Sequence, residues 1–138
     1  MVRIIRSIGL LSLALYTPIA IIELHGTPEV VWKDTDLKIP MRDGVMLAAD
    51  LYRPAGPGPF PVLLSRTPYN KSRVAEQAEQ FAGHGYAVVT VDSRGLNASE
   101  GEWSPYVDEA KDGYDTQAWV ANQPWCNGKI GMFGSSYP

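Results

Sequence analysis

Between residues 61 and 133 the sequence alternates short, continuous apolar runs with stretches of helical periodicity. The apolar runs at 61–66, 86–92 and 130–133 have the length and aliphatic content typical of strands buried on both faces. The stretches 72–83 and 104–121 carry apolar residues at helical spacing, which predicts two helices. A strand–helix–strand–helix–strand order is joined by right-handed crossovers, so it predicts a parallel sheet with helices on both faces.

The residues before this alternation predict an antiparallel hairpin. Apolar and polar residues alternate between 28 and 41, and β-prone residues resume between 45 and 52. The sequence RDG at 42–44 is a turn between them. A Pro- and Gly-rich connector at 53–61 then interrupts regular structure. The chain therefore belongs to the α/β class, with an antiparallel hairpin leading into the parallel sheet.

The first 26 residues differ in composition from the rest of the chain. Arg3 and Arg6 precede the uncharged apolar stretch 7–22, a pattern typical of a secretory signal or a membrane anchor. Pro18 interrupts the stretch and no clear small-residue cleavage motif follows it, so a buried first helix is the alternative. We expect an exported protein or one tethered to a membrane through residues 7–22, and a cytoplasmic protein if the alternative holds.

Composition excludes several classes of function. A net charge of −3 without a basic cluster argues against a nucleic-acid partner. Cys126 is the only cysteine, so an internal disulfide is impossible, and no cluster of metal ligands surrounds it. We therefore expect neither a metal nor an organic cofactor, and the composition does not predict an oligomeric state.

The carboxyl ends of parallel strands meet at one edge of a sheet, where open α/β folds bind their ligands. The segments 67–71, 92–101 and 134–138 follow the three predicted strands of the parallel sheet. We therefore expect the functional site to lie among these three segments.

The last of these segments, GSSYP, is called the serine turn below. A serine hydroxyl acts as a nucleophile only when it is exposed, has a base, and faces donors for the developing oxyanion. A sharp strand-to-helix turn supplies exposure and backbone N–H groups, and it needs a small residue two positions before the serine. Gly134 meets this need for Ser136, whereas Phe133 stands two positions before Ser135. Because Pro138 replaces the last glycine of the general motif G-x-S-x-G, a turn that only caps a helix is the alternative.

Tyr69 lies in the segment SRTPYNK, which directly follows the first strand of the parallel sheet. A hydrolase of this topology places its second oxyanion donor at that point. The hydroxyl of Tyr69 can serve as this donor, and an ordinary packed tyrosine is the alternative.

Several segments resemble, in order and spacing, the Xaa-Pro dipeptidyl-peptidase and cocaine-esterase-like (CocE/NonD) family of α/β-hydrolases over residues 28–138. They are MRDGVMLAADLYRPAGPGPFPVLLSRTPYNK, VTVDSRGLNASEGEW and DEAKDGYDTQAWVANQPWCNGKIGMFGSSY. The serine turn of that family reads G-x-S-Y-x-G, and Gly134, Ser136 and Tyr137 match its first, third and fourth positions. The resemblance implies that Ser136 is the nucleophile and that the Tyr69 hydroxyl and the Tyr137 backbone N–H are the oxyanion donors.

The resemblance also assigns a role to the segment DSRG that follows the second strand of the parallel sheet. It implies that Asp92, Arg94 and Gly95 shape the edge of the site. We expect Asp92 and Arg94 to be structural residues, paired or hydrogen-bonded near the end of the strand.

The resemblance further implies that residues 27–138 are the amino-terminal part of an α/β-hydrolase catalytic domain, truncated just after the serine turn. The implied activity is that of a serine hydrolase that cleaves ester or amide bonds through an acyl-enzyme, with release of Xaa-Pro dipeptides as the alternative. In this fold the nucleophile, acid and histidine follow one another along the chain, but His25 and His84 both precede Ser136. We therefore expect the acid and the histidine beyond residue 138, and little activity from residues 1–138 alone.

A different class of protein is also compatible with the serine turn. A non-catalytic α/β module can bind an anion where a Gly-Ser turn meets a helix N-terminus. A truncated product without activity is the remaining alternative.

Overall fold

The computed structural model describes residues 30–137. The predicted signal or anchor at residues 1–26, with its apolar stretch 7–22, lies outside this range and stays a prediction. No helix within residues 30–137 has the length and apolar character needed to cross a membrane. The elements in chain order are β1 Val31–Pro40, β2 Met46–Pro54, β3 Phe60–Thr67, a 3-10 turn Lys71–Val74, α1 Ala75–Ala82, β4 Ala87–Asp92, α2 Glu109–Ala121 and β5 Cys126–Met132.

The five strands form one mixed sheet in the order β1-β2-β4-β3-β5. The hairpin of β1 and β2 is antiparallel, and β3 runs parallel to both β4 and β5. The predicted α/β class, with an antiparallel hairpin leading into a parallel sheet, is therefore confirmed. The hairpin joins the parallel part through antiparallel pairing of β2 with β4 and not with β3, its neighbour along the chain.

A hydrophobic core lies on each face of the sheet, as two-sided helix packing requires. All six residues of β4 are buried, and their side chains alternate between the two faces. Val89 and Val91 belong to the core that also contains Val120 of α2. Val88 belongs to the opposite core, beside Ala78 of α1. The central position of β4 therefore fixes the carboxyl end of this strand firmly between the two layers.

The second helix begins later than the sequence predicts. Ser104 followed by Pro105 is a favourable helix start, but α2 begins at Glu109. Tyr106 has a φ of 67°, a left-handed conformation that a right-handed helix does not contain. Its N–H donates to the Tyr137 hydroxyl at 2.9 Å. The residues before Glu109 therefore pack toward the serine turn and do not form the first turn of α2.

The last strand is longer than the sequence predicts. β5 begins at Cys126 and ends at Met132, whereas the apolar run predicted a strand at 130–133. Pairing of Cys126 with Phe60 of β3 extends the strand through residues that lack apolar character. Because this pairing is a long-range backbone contact, hydrophobic periodicity alone does not reveal it.

Candidate active site

The parallel strands β3, β4 and β5 deliver three loops to one edge of the sheet. The Ser93 N–H donates to the Thr67 carbonyl at 3.0 Å, which joins the loops after β4 and β3. The Phe133 N–H donates to the Leu64 carbonyl at 3.0 Å, which holds the start of the serine turn against β3. The three predicted segments therefore do meet at this edge.

Ser136 is exposed at the tip of the serine turn. Its φ of 67° is in the left-handed region, which a residue with a Cβ adopts only at an energetic cost. Such strain is typical of a strand-to-helix turn that presents a nucleophile. The positive φ of Ser136 fits such a turn, and the role of Ser136 as the nucleophile stays a prediction.

The hydroxyl groups of Tyr69 and Ser136 lie 3.3 Å apart and are hydrogen-bonded, with either oxygen able to donate. Tyr69 is 46% exposed, so its ring is not a core side chain. This exposure argues against the alternative of an ordinary packed tyrosine. The structure therefore brings together two side chains that are 67 positions apart in the sequence.

A series of local hydrogen bonds defines the loop that carries Tyr69. The Tyr69 N–H donates to the Thr67 hydroxyl at 3.1 Å. Asn70 has a φ of 85°, and its side-chain oxygen accepts from the Ser72 N–H at 2.9 Å. The Lys71 N–H donates to the Asp92 carboxylate at 2.7 Å. The backbone is therefore fixed on both sides of Tyr69.

The side chain of Tyr137 anchors the other end of the site. Its hydroxyl accepts from the Tyr106 N–H at 2.9 Å and donates to the Glu109 carboxylate at 3.4 Å. Its ring packs against the rings of Trp103 and Tyr106, with centroids 5.6 Å and 4.7 Å away. Desolvation raises the pKa of the Tyr137 hydroxyl above its ordinary value. A tyrosine hydroxyl is protonated at neutral pH even at that ordinary value, so this group can donate. The residue that supplies the predicted backbone donor is therefore held by its own side chain.

A buried ion pair connects Tyr137 to the central sheet, and sequence reasoning missed it. Arg66 at the end of β3 is 5% exposed and lies 2.8 Å from the Glu109 carboxylate. The Arg66 guanidinium also donates to the Glu109 backbone carbonyl at 3.0 Å. An arginine at the end of an otherwise apolar run was the available signal, because a buried charge requires a partner. The pair links β3, the start of α2 and the serine turn.

Two pockets flank Ser136. One, of about 230 Å³, lies between the Tyr69 loop and the serine turn. The other, of about 260 Å³, lies beside Tyr106, Glu109 and Tyr137. Ser136 lines both pockets, so there is space for a bound chemical group on either side of the Ser136 hydroxyl.

Asp92 and Arg94 are both hydrogen-bonded near the end of β4, as predicted, but they use different partners. Arg94 pairs with Asp112 of α2 at 2.7 Å and with Asp43 at 2.8 Å. Its hydrogen bond to Asp112 raises the pKa of the guanidinium above its ordinary value. Gly95 has a φ of 70°, and a Cβ at this position would lie 2.3 Å from the Trp103 backbone nitrogen. Only glycine therefore fits where the loop folds back on itself.

Ser99 joins the loop after β4 to β2. Its hydroxyl donates to the Asp92 carbonyl at 2.7 Å and accepts from the buried Ala48 N–H at 2.8 Å. We expect Ser99→Ala to weaken protection of the Ala48 amide by about 1–2 kcal/mol, because its acceptor is lost. Native-state hydrogen exchange at Ala48 would then be roughly 5- to 30-fold faster. Ser104→Ala, which removes an exposed hydroxyl, is the control, and an unchanged exchange rate in Ser99→Ala would contradict the prediction.

The histidine within the described range lies far from Ser136. His84 follows α1, which runs from the carboxyl end of β3 to the amino end of β4, so it lies at the opposite edge of the sheet. Its ring bonds the Gln80 carbonyl through Nδ1 at 2.7 Å. His25 lies outside the described residues. Between residues 30 and 137 there is also no group of three or more His, Cys, Asp or Glu side chains arranged to hold a metal ion.

The sheet order and the strained serine turn are those of an α/β-hydrolase fold. The model of the X-Pro dipeptidyl-peptidase (S15) family matches residues 43–138. The chain therefore belongs to this family, which confirms the resemblance identified from the sequence motifs.

Individual relatives agree with this assignment. Cocaine esterase from Rhodococcus sp. (strain MB1 Bresler) is 52% identical over 75% of this chain and 19% of its own length. A crystal structure of a CocE/NonD family hydrolase from Staphylococcus aureus matches with a TM-score of 0.66 and 32% identity, over 74% of this chain and 22% of that one. An α-amino acid ester hydrolase matches with a TM-score of 0.67 and 33% identity, over 88% of this chain and 25% of that one. The chain thus spans about a fifth of the length of the curated relatives that it matches.

Proposed function

We propose that the full-length polypeptide containing this chain is a serine hydrolase that cleaves ester or amide bonds through an acyl-enzyme. Ser136 is the nucleophile in this proposal. The observation that carries it is the hydrogen bond of 3.3 Å between the hydroxyls of Ser136 and Tyr69, at the end of a parallel strand. Membership of the S15 family and similarity to a cocaine esterase support the reaction class.

In the proposed reaction the Ser136 Oγ attacks the substrate carbonyl carbon, and the carbonyl oxygen becomes an oxyanion. The Tyr69 hydroxyl already lies within hydrogen-bond distance of Oγ. A small rotation therefore brings it to the oxyanion that forms on the neighbouring carbon. The Tyr137 backbone N–H is the second donor, and the Tyr137 side chain fixes its position through Tyr106 and Glu109. Such fixed donors stabilise the transition state more than the ground state.

The Ser136 proton must pass to a base and then to the leaving group when the tetrahedral intermediate collapses. His84 cannot act as this base, because it lies at the opposite edge of the sheet. We propose that a histidine from outside residues 30–137 accepts the proton, oriented by an acidic residue. Water then releases the acyl group from Ser136 in the second half of the cycle.

The two pockets beside Ser136 suit the two halves of a substrate. The pocket between Tyr69 and the serine turn is suited to one side of the scissile bond, and the pocket beside Tyr106 to the other. Ester or amide cleavage is preferred over release of Xaa-Pro dipeptides, because the 52% identical relative is an esterase. Parallel assays with aryl esters and with Xaa-Pro arylamides distinguish the two activities.

Labelling with a fluorophosphonate tests the proposed nucleophile. We expect the probe to modify Ser136 in the full-length polypeptide, as read by mass spectrometry of the peptide that contains the serine turn. The label is expected to persist in Ser135→Ala and to be lost in Ser136→Ala, which makes these two variants a matched pair. Absence of an adduct on Ser136 would instead support an anion-binding module without catalytic activity.

A further inference from the structure

Asp92 at the end of β4 joins two loops of the proposed site. Its side chain is almost fully buried, and one carboxylate oxygen accepts from the Lys71 N–H at 2.7 Å. The other oxygen accepts from the Ala98 N–H at 3.3 Å. The loop after β3 and the loop after β4 are therefore held by the same carboxylate.

The Asp92 carboxylate is directed at backbone groups, and the nearby ammonium group has other partners. The Lys71 Nζ lies 3.3 Å from Asp50 and 3.4 Å from Asp36. A carboxylate that accepts a short hydrogen bond from a backbone N–H forms a strong, directional contact. Asp92 therefore holds the Lys71 backbone in place through this hydrogen bond, whereas the Lys71 ammonium group pairs with Asp36 and Asp50.

The Lys71 backbone determines where Tyr69 lies. Only Asn70 separates the two residues, and its left-handed conformation is fixed by the hydrogen bond from the Ser72 N–H to its side chain. The Thr67 hydroxyl holds the Tyr69 N–H on the other side. A shift of Lys71 would therefore move the Tyr69 hydroxyl relative to the Ser136 Oγ.

We propose that Asp92 is a positioning residue for the Tyr69 hydroxyl. By accepting the Lys71 N–H it keeps this hydroxyl within reach of the Ser136 Oγ before substrate binds. The inference rests on the proposed function, because it concerns how the same site stabilises an oxyanion. A donor that acts on the oxyanion contributes in the transition state, so its displacement lowers kcat more than it raises KM.

A double-mutant cycle tests this role in the full-length polypeptide with an aryl ester substrate. We expect Asp92→Ala to lower kcat by roughly 10- to 100-fold with little change in KM, as expected for a misplaced catalytic group. In a Tyr69→Phe background the same substitution should lower kcat by less than about threefold, because the hydroxyl that it positions is already absent. Losses that multiply in the double variant would overturn the proposal.

A conservative variant of Asp92 and a matched pair of Lys71 variants keep the test valid even if Asp92→Ala does not fold. Asp92→Asn retains one side-chain oxygen for the Lys71 N–H but turns an NH2 group toward the Ala98 N–H, so we expect a kcat between that of Asp92→Ala and that of the parent enzyme. Lys71→Pro and Lys71→Met both remove the ammonium group, but only proline removes the backbone N–H. If Asp92→Ala does not fold, a kcat loss in Lys71→Pro that is absent from Lys71→Met supports the proposal. Equal losses in these two variants overturn it.

Asp112→Asn is the control for a buried carboxylate without contact to the Tyr69 loop. Asp112 is 2% exposed and pairs with Arg94. Its substitution therefore destabilises the fold through the loss of a buried, hydrogen-bonded carboxylate, as the substitution of Asp92 also does. We expect its effect on kcat to be the same with and without the Tyr69 hydroxyl. Labelling distinguishes a failure of the proposed function from a failure of the role assigned to Asp92. An unlabelled Ser136 contradicts the proposed function, whereas a labelled Ser136 with multiplicative losses for Asp92→Ala and Tyr69→Phe contradicts only the role of Asp92.

Discussion

Ser136→Ala is expected to lower kcat for ester hydrolysis by about 10⁴- to 10⁶-fold in the full-length polypeptide, because no acyl-enzyme can form. The oxyanion donors remain in place in this variant. The residual rate would come from direct attack of water on the substrate, with these donors stabilising the oxyanion that forms. Steady-state hydrolysis of an aryl ester, together with the loss of a burst of the released alcohol, measures this effect. A variant that retains more than about a tenth of the parent rate would contradict the assignment of Ser136.

Ser136→Gly separates the effect of losing the hydroxyl from the effect of backbone strain at this position. Alanine keeps the Cβ that is strained at a φ of 67°, whereas glycine adopts this conformation readily. We expect Ser136→Gly to be as inactive as Ser136→Ala but more stable than it by about 1 kcal/mol. Equal unfolding midpoints for the two variants would show that the turn does not carry the strain assigned to it.

Tyr69→Phe is expected to lower kcat by about 10²- to 10³-fold, which corresponds to roughly 3 kcal/mol of transition-state stabilisation. The KM should change little, because the hydroxyl acts on the oxyanion and not on the ground-state substrate. Stability should also change little, since Tyr69 is 46% exposed and the partner of its hydroxyl is the Ser136 Oγ. Kinetics on the purified variant, with its unfolding midpoint measured in parallel, give both quantities.

Tyr86→Phe is the matched control for this substitution. Tyr86 is also partly exposed, but it precedes β4 and lies at the edge of the sheet opposite the serine turn. Its hydroxyl therefore has no route to the oxyanion, and we expect its removal to leave kcat unchanged. A Tyr69→Phe variant as active as Tyr86→Phe would remove Tyr69 from the mechanism.

The apolar runs predicted the fold class because a continuous apolar run in the sequence marks where each buried strand lies. β3 and β4 each contain a short aliphatic run, and their parallel pairing follows from the intervening helix. The meeting of Tyr69 and Ser136 at one edge was expected for the same reason, although their catalytic roles stay predictions. The pairing of β2 with β4 was not expected, because strand order depends on contacts between distant residues.

The contacts that support the site were harder to predict than the site itself. The late start of α2 depends on the hydrogen bond between Tyr106 and Tyr137, and these residues lie 31 positions apart. The link from Arg66 to Glu109 spans 43 positions, and no role was predicted for either residue, although both lie in segments that resemble the family. Local propensity therefore favoured a helix at Ser104, where the tertiary contact produces a turn.

The crowding around Gly95 determines which positions near the serine turn tolerate substitution. Every L-amino acid with a side chain would place its Cβ against the Trp103 backbone and would also be strained at a φ of 70°. A randomised library in a directed-evolution experiment should therefore leave codon 95 constant. Diversity is better introduced at Val107, whose exposed side chain meets solvent and not the main chain.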